Sequence, residues 1–264
     1  MTASHPRTFW KETAFWLALP LLIFLVLPVL GLGAALDWTK IGQAIALPSV
    51  RSAVAVSLVT TTAATLLSAV LGLPVAWWLA SRQRGPWRHL EAIVEFPIIL
   101  PPAVAGLGLL LALGRNGFLG QWFEGFGWQI PFTTVAVVLA QIFVGAPLFI
   151  KHAIAGLRLV PGELREAAEV MGASPLQSLR HVALPIAAPA IAGGLVACWA
   201  RALGEFGATL LFAGSFPGRT ETLPLAIYQL MEHDMQGAII VSLLLLIVAL
   251  AVLAGLRMLW HPET

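Results

Sequence analysis

An all-α integral membrane protein with six transmembrane helices is the fold class this sequence predicts, on three observations. Of its 264 residues 59% are hydrophobic and only 11% are charged, where an average soluble domain carries about 25% charged residues. The mean hydropathy is +0.88. Several apolar runs exceed the ~18 residues at which a segment reads as a membrane span. Those run lengths exclude a hydrophobic soluble enzyme. The formal net charge of +2, with no clustered basic face, gives no footing for nucleic acid.

The six apolar segments are Ala14–Leu36, Arg51–Ala80, Glu91–Leu113, Thr133–Ile150, Ile186–Ala213 and Gly237–Leu256. The first follows Arg7 and Lys11 and superficially resembles a signal peptide. It is longer than the roughly 7–15 residues of a signal h-region, and further spans follow, so it is expected to be a retained helix. In hydrocarbon a backbone must satisfy its own hydrogen bonds, so each segment is expected to be a helix. Pro20, Pro28, Pro74, Pro97, Pro101, Pro102 and Pro189 would break soluble helices but are tolerated here as kinks. Gly106, Gly108, Gly193, Gly194, Gly204 and Gly207 allow close helix contacts. The single cysteine, Cys198, lies in an apolar run and reads as a small packing residue. No repeat or soluble second domain is evident, so residues 1–264 are expected to form one membrane domain.

Orientation follows from the basic residues. Six spans place the N-terminal segment, the 81–90 loop, the 151–185 loop and the C-terminus on one side, with Arg7, Lys11, Arg82, Arg84, Arg88, Lys151, Arg158, Arg165, Arg180 and Arg257. The other side carries only Lys40, Arg51, Arg115 and Arg219. By the positive-inside rule the first side is expected to be cytoplasmic, both termini included. On the other side, residues 114–132 are rich in aromatics and glycine, as suits a headgroup-level element. Residues 214–236 read as a turn-rich outer loop, either a plain connector or a surface on which a partner docks.

The longest inner connection is expected to hold two short helices. Pro161 and Gly162 open the first, and Glu163, Glu166 and Glu169 favour its early turns. Gly172 stops it in a left-handed conformation. Ser174 caps the second, with Pro175 at its first position and its end near Leu184-Pro185. Glu166-Ala167-Ala168, then Gly172 after three residues, then Val182-Ala183-Leu184-Pro185 after nine more, resembles the "EAA" motif of ABC importer permeases. The family pattern has isoleucine where this chain has Val182. Glu-Ala-Ala alone is only a run of common helix formers; the full spacing in this place is specific. The resemblance, which covers about residues 50–258, implies that segment 160–185 couples to the ATPase subunit of an importer. Glu166, Ala167, Ala168, Gly172, Leu184 and Pro185 are then the coupling residues, with Glu166 as contact and Gly172 as turn. None of the lysines Lys11, Lys40 and Lys151 follows a GxxxxG run, so ATP and Mg are expected on a partner chain, with no cofactor and no catalytic residue in this one.

Arg201, Glu205 and Thr209 are spaced four apart within the fifth segment and on one helix would share a face. Charges inside a membrane mark function by default; the alternative is an Arg–Glu pair that only fixes packing. The surrounding RALGEFGATLLFAG and the following PGRTETLPLAIY (Pro217–Tyr228) are similar to the molybdate/tungstate branch of ABC permeases. Related sulfate/thiosulfate permeases share the Gly-Glu-aromatic-Gly core. The resemblance implies a homodimer in the inner membrane of a bacterial or archaeal cell, served by two ATPase subunits and an extracytoplasmic oxyanion-binding protein. Arg201, Thr209 and Ser215 are candidate donors along an anion path, with Glu205 paired or protonated. Glu91 and Glu95 open the third segment, where carboxylates suit a helix N-terminus better than a proton relay. An ion-driven transporter, a further alternative, would work without an ATPase. A membrane enzyme would need paired carboxylates or a histidine cluster, and the spacing of His152, His181 and His233 resembles neither a metal site nor a triad.

Overall fold

The computed structural model describes residues 6–260 apart from 83, 84 and 86, so Arg84 lies outside the described residues. Among these residues the secondary structure is helical, with no strand. The expected six-span all-α fold is present, with two spans built differently from the expectation.

Helix α1 (Pro6–Ala34) is the first span, and its Ala14–Ala34 stretch is exposed on nearly every side. The short α2 (Ile41–Ala46) leads into α3 (Pro48–Ala80), which begins on a proline and carries Pro74 without breaking. Along one face α3 buries Ala53, Ser57, Thr60, Thr61, Ala64, Ser68, Gly72 and Ala76. That three-to-four spacing of small and hydroxyl residues lets another backbone approach closely. The approaching helix is α7 (Thr134–Arg158), the centre of the bundle. A Cβ at Gly72 would lie 2.9 Å from Ile150, and Gln141 Nε2 donates to Thr61 Oγ1 at 3.2 Å. On its other side α7 packs on α10 (Leu184–Leu203), where Gly145 meets Cys198 and Gly156 meets Ala187 and Ala190.

The third span is not one kinked helix. It is α4 (Arg88–Ile99) followed by α5 (Pro102–Leu113), bent by 108° at Leu100-Pro101. Two consecutive prolines remove two amide donors, and each forces the residue before it into extended geometry, with ψ of 128° at Leu100 and 134° at Pro101. Leu90 and Val94 of α4 pack with Ile154 and Leu157 near the end of α7. Leu109, Leu110 and Leu113 of α5 pack with Ala136, Val137 and Ala140 near its start. The bent pair therefore follows α7 from end to end and crosses once. Beyond it α6 (Gly120–Glu124) lies in an aromatic loop that exposes Phe118, Trp122, Phe126 and Trp128.

The fifth span also departs from the expected Ile186–Ala213. After α8 (Gly162–Val170), α9 (Pro175–Ser178) runs through a π turn, Leu179–Ala183, directly into α10. The result is continuous helix from Pro175 to Leu203. Pro185 does not end it, because the wider turn, in which the Leu184 amide donates to Leu179, relieves the clash of a proline ring with the carbonyl one turn earlier. At the far end the helix stops at Gly204, and α11 (Gly207–Ala213) begins after a break. Residues 214–236 are not an outer loop throughout. Thr220, Glu221 and Thr222 are buried, and α12 (Leu223–Met231) packs on α3 and on α13 (Met235–Trp260), the last span. Phe216–Arg219 remain exposed, as do Tyr228 and Met231–His233.

These packings alternate the spans, so the end of α3 with Ser81 and Arg82, the start of α4 and residues 159–183 share one end of the bundle with the start of α1 and the end of α13. Arg82 there sits over the rings of Trp78 and Trp87, at 5.2 and 4.9 Å.

Candidate functional site

Two places hold the residues singled out above, at opposite ends of one helix. The first is the knuckle formed by α8 and α9. Its turn at Gly172, with φ of +84°, is a Schellman motif. The Ala173 amide donates to the Ala168 carbonyl and the Gly172 amide to that of Glu169, both at 2.9 Å. A residue with a Cβ pays for that backbone conformation, and glycine does not. Ser174 then caps α9 as expected, in a reciprocal capping box: the Gln177 amide donates to Ser174 Oγ at 3.3 Å and the Ser174 amide to Gln177 Oε1 at 2.7 Å.

Of the residues expected to couple, Glu166, Ala167 and Gly172 are exposed, while Ala168 is buried beneath them. Leu184 is half-buried in the core and Pro185 is exposed, both inside the continuous helix and not at the tip of the knuckle. Arg165 reaches back from α8 and its guanidinium donates to the Leu157 carbonyl at the end of α7. The knuckle also exposes Leu164, Val170, Met171 and Leu176, with Val170 88% and Met171 81% accessible. An open groove of about 380 Å³ lies beside Met171 and Gly172, lined by Ala168, Gln177, His181 and Val182. Large apolar side chains thus cluster around an acidic helix at this end of the bundle.

The second place is the junction of α10 with α11. Arg201, in the last turn of α10, donates from a guanidinium nitrogen to Glu205 Oε2 at 2.6 Å. Glu205 is 1% exposed, and its Oε1 accepts from the Ala208 amide at 2.8 Å. One carboxylate thus neutralises an arginine and caps the next helix, whose positive end favours an anion. Arg201, Glu205 and Thr209 do not share one continuous helix face, because the helix ends at Gly204. Thr209 lies within α11, buried, its hydroxyl without a hydrogen-bond partner among the described residues. Ser215 lies beyond the far end of α11, where its Oγ accepts from Gln229 Nε2 at 2.8 Å. Arg201 and Glu205 are together; Thr209 and Ser215 belong to different surroundings.

Three features were not read from the sequence. Glu91 pairs with Arg158 through both guanidinium nitrogens, and Glu95 pairs with Lys151 at 3.0 Å. Their partners lie about sixty residues away in the chain, and no local pattern marks them. The contact of α5 with α11 is so close that a Cβ at Gly106 would lie 2.7 Å from the Ala208 backbone. Glu221 is 3% exposed and makes no ion pair among the described residues, and burial pushes its carboxyl above the ordinary 4.5. No cluster of three or more metal-ligating side chains occurs among the described residues.

Residues 72–262 match the family model of the binding-protein-dependent transport system inner membrane component. The chain is 38% identical over 251 residues to the molybdenum transport system permease protein ModB of Mycobacterium tuberculosis, covering 95% of each. It is 34% identical over 226 residues to the sulfate transport system permease protein CysT of Escherichia coli, covering 85% of this chain and 81% of that one. Its fold is similar to a chain in the crystal structure of a bacterial ABC transporter involved in the import of the acidic polysaccharide alginate. The TM-score is 0.75 at 17% identity, covering 96% of this chain and 98% of the other.

Proposed function

The chain belongs to the family of binding-protein-dependent transport system inner membrane components, and on that premise we propose that it is the permease subunit of an ATP-driven importer of molybdate or tungstate. The observation that carries the substrate is the 38% identity to the molybdenum permease over 95% of both chains. A sulfate or thiosulfate permease is the second reading, favoured by the 34% identity to the sulfate permease.

In this reading the chain acts as one permease domain in the inner membrane, with the α8 end and both termini cytoplasmic. Two copies enclose the path, ATPase subunits that bind ATP and Mg dock on the knuckles, and an extracytoplasmic binding protein delivers the oxyanion. Support for docking is the exposed Val170, Met171 and Leu176 around Glu166. Closure of the ATPases pushes on α8. The continuous helix from Pro175 to Leu203 spans about 43 Å at 1.5 Å per residue. It carries that displacement to Arg201, where the Arg201–Glu205 pair acts as a neutral gate or packing element. Selectivity for the dianion then resides mostly in the binding protein.

Uptake by the permease, its ATPase and a loaded binding protein in vesicles tests the reading. Radiolabelled molybdate should enter only with ATP, and excess sulfate should compete poorly. Strong competition by sulfate makes the chain a sulfate permease, and uptake that persists without ATP or ATPase removes the importer.

A further inference from the structure

The broken third span packs on α7 through its first arm and on α11 through its second. Glu91 and Glu95 are one turn apart on α4, and they pair with Arg158 and Lys151, two turns apart on the antiparallel α7. One ion pair would set only a distance. Two pairs at different heights set both the position and the axial rotation of α4.

Contacts continue in both directions from this clamp. Toward the knuckle, Arg158 is adjacent to Leu157, whose carbonyl accepts from Arg165 of α8, and Arg165 precedes Glu166. Away from it, the arm bends at Leu100-Pro101 and becomes α5, which meets α11 without slack. A Cβ on Gly207 would lie 3.0 Å from that of Pro102, and Gly106 abuts the backbone of Ala208. The Ala208 amide is the one that Glu205 accepts from, beside Arg201. An unbroken series of polar and packed contacts thus joins the α8 knuckle to the Arg201–Glu205 junction by a route separate from α10.

We propose that the Glu91–Arg158 and Glu95–Lys151 pairs clamp α4 to α7, making the bent α4–α5 unit a lever through which the knuckle moves α11 and the Arg201–Glu205 junction. The four are positioning residues, and the proposal rests on the importer reading given above. Both pairs are partly exposed, with side-chain accessibilities of 33% and 25% for Arg158 and Glu91. Such pairs add little to stability, and Leu90 and Val94 already bind α4 to α7 by packing. What the charges add is fixed geometry at the start of the lever.

The test measures molybdate uptake per ATP hydrolysed by the full complex with its ATPase and loaded binding protein in vesicles. Glu91→Gln and Arg158→Gln should each lower that ratio at least about fivefold while ATP hydrolysis continues. Exchanging the charges, Glu91→Arg with Arg158→Glu, should restore most of it, which a loss of packing alone would not allow. An unchanged ratio in the single variants, or an exchange that restores assembly but not the ratio, overturns the lever. Should the glutamine variants fail to assemble, Glu91→Asp keeps the charge and shortens the reach; a wild-type ratio there also overturns it. Absence of ATP-driven uptake in the wild-type complex refutes instead the importer reading, so the two failures are separable.

Discussion

Arg201 and Glu205 form their 2.6 Å ion pair across the end of a helix: the arginine closes α10 and the glutamate caps α11. The pair holds together a span whose backbone is interrupted at Gly204–Phe206. Removing the arginine leaves an almost fully buried carboxylate without its counter-charge. Arg201→Ala should therefore lower stability by about 3 kcal/mol, the low end for a broken buried pair because the arginine itself is partly exposed. Glu205→Gln keeps an acceptor for the Ala208 amide and should cost about 1 kcal/mol. The double variant Arg201→Ala with Glu205→Gln should be milder than Arg201→Ala alone. Thermal unfolding of the detergent-solubilised protein measures all three, and additive losses would argue against a coupled pair.

At the knuckle, Gly172 has φ of +84°, which proline cannot adopt and alanine adopts at a cost of about 1 kcal/mol. Gly172→Pro and Glu166→Lys should each abolish ATP-driven uptake while the protein remains folded in the membrane. Gly172→Ala should retain part of it. Uptake assays beside size-exclusion profiles distinguish loss of coupling from loss of fold, and full uptake in both severe variants contradicts the coupling role.

Gly106→Ala should push α5 away from α11, because the added methyl meets backbone atoms of Ala208 that cannot rotate aside. Overpacking of this kind costs about 2 kcal/mol. A melting temperature equal to wild type would show that the two helices separate freely.

Glu221 makes stability depend on pH in a defined direction. Burial raises its folded-state carboxyl above the ordinary 4.5, so the folded protein holds the proton more tightly than the unfolded chain. That contribution is complete below 4.5 and is lost as pH rises through the raised folded value. Glu221→Gln, which cannot ionise, should flatten this part of a melting-temperature profile. A variant profile parallel to wild type across that window counts against a buried, unpaired carboxyl.

Much of this protein is written in local patterns. The apolar run lengths place α3 and α13 to within four residues of their ends, since a helix in hydrocarbon has no alternative partner for its backbone, while α1 starts eight residues before its expected segment and α7 ends eight residues after its own. Gly172, Ser174 and Pro175 place the knuckle turn and the start of α9, because turn and cap chemistry is decided within a few residues. The Leu100-Pro101-Pro102 break was visible as prolines, but not as a 108° bend, since the angle depends on what each arm packs against. Glu91 and Glu95 were visible as carboxylates at a helix start, and their partners on α7 were not. Residues 214–236 looked like a loop by composition, yet Thr220–Thr222 are enclosed by neighbouring helices.

The sequence by itself determined that the chain crosses the membrane repeatedly, that residues 160–185 fold as two helices about Gly172, and that opposite charges lie in the fifth segment. All three follow from patterns contained within a single stretch of chain. Only the tertiary structure decided that the helix from Pro175 passes Pro185 unbroken, that Arg201 and Glu205 close one helix and cap another, and that α4 and α5 join the knuckle to that junction. The last of these depends on which small residues let distant helices meet and on which charges find partners about sixty positions away. Such contacts exist only once the bundle has packed.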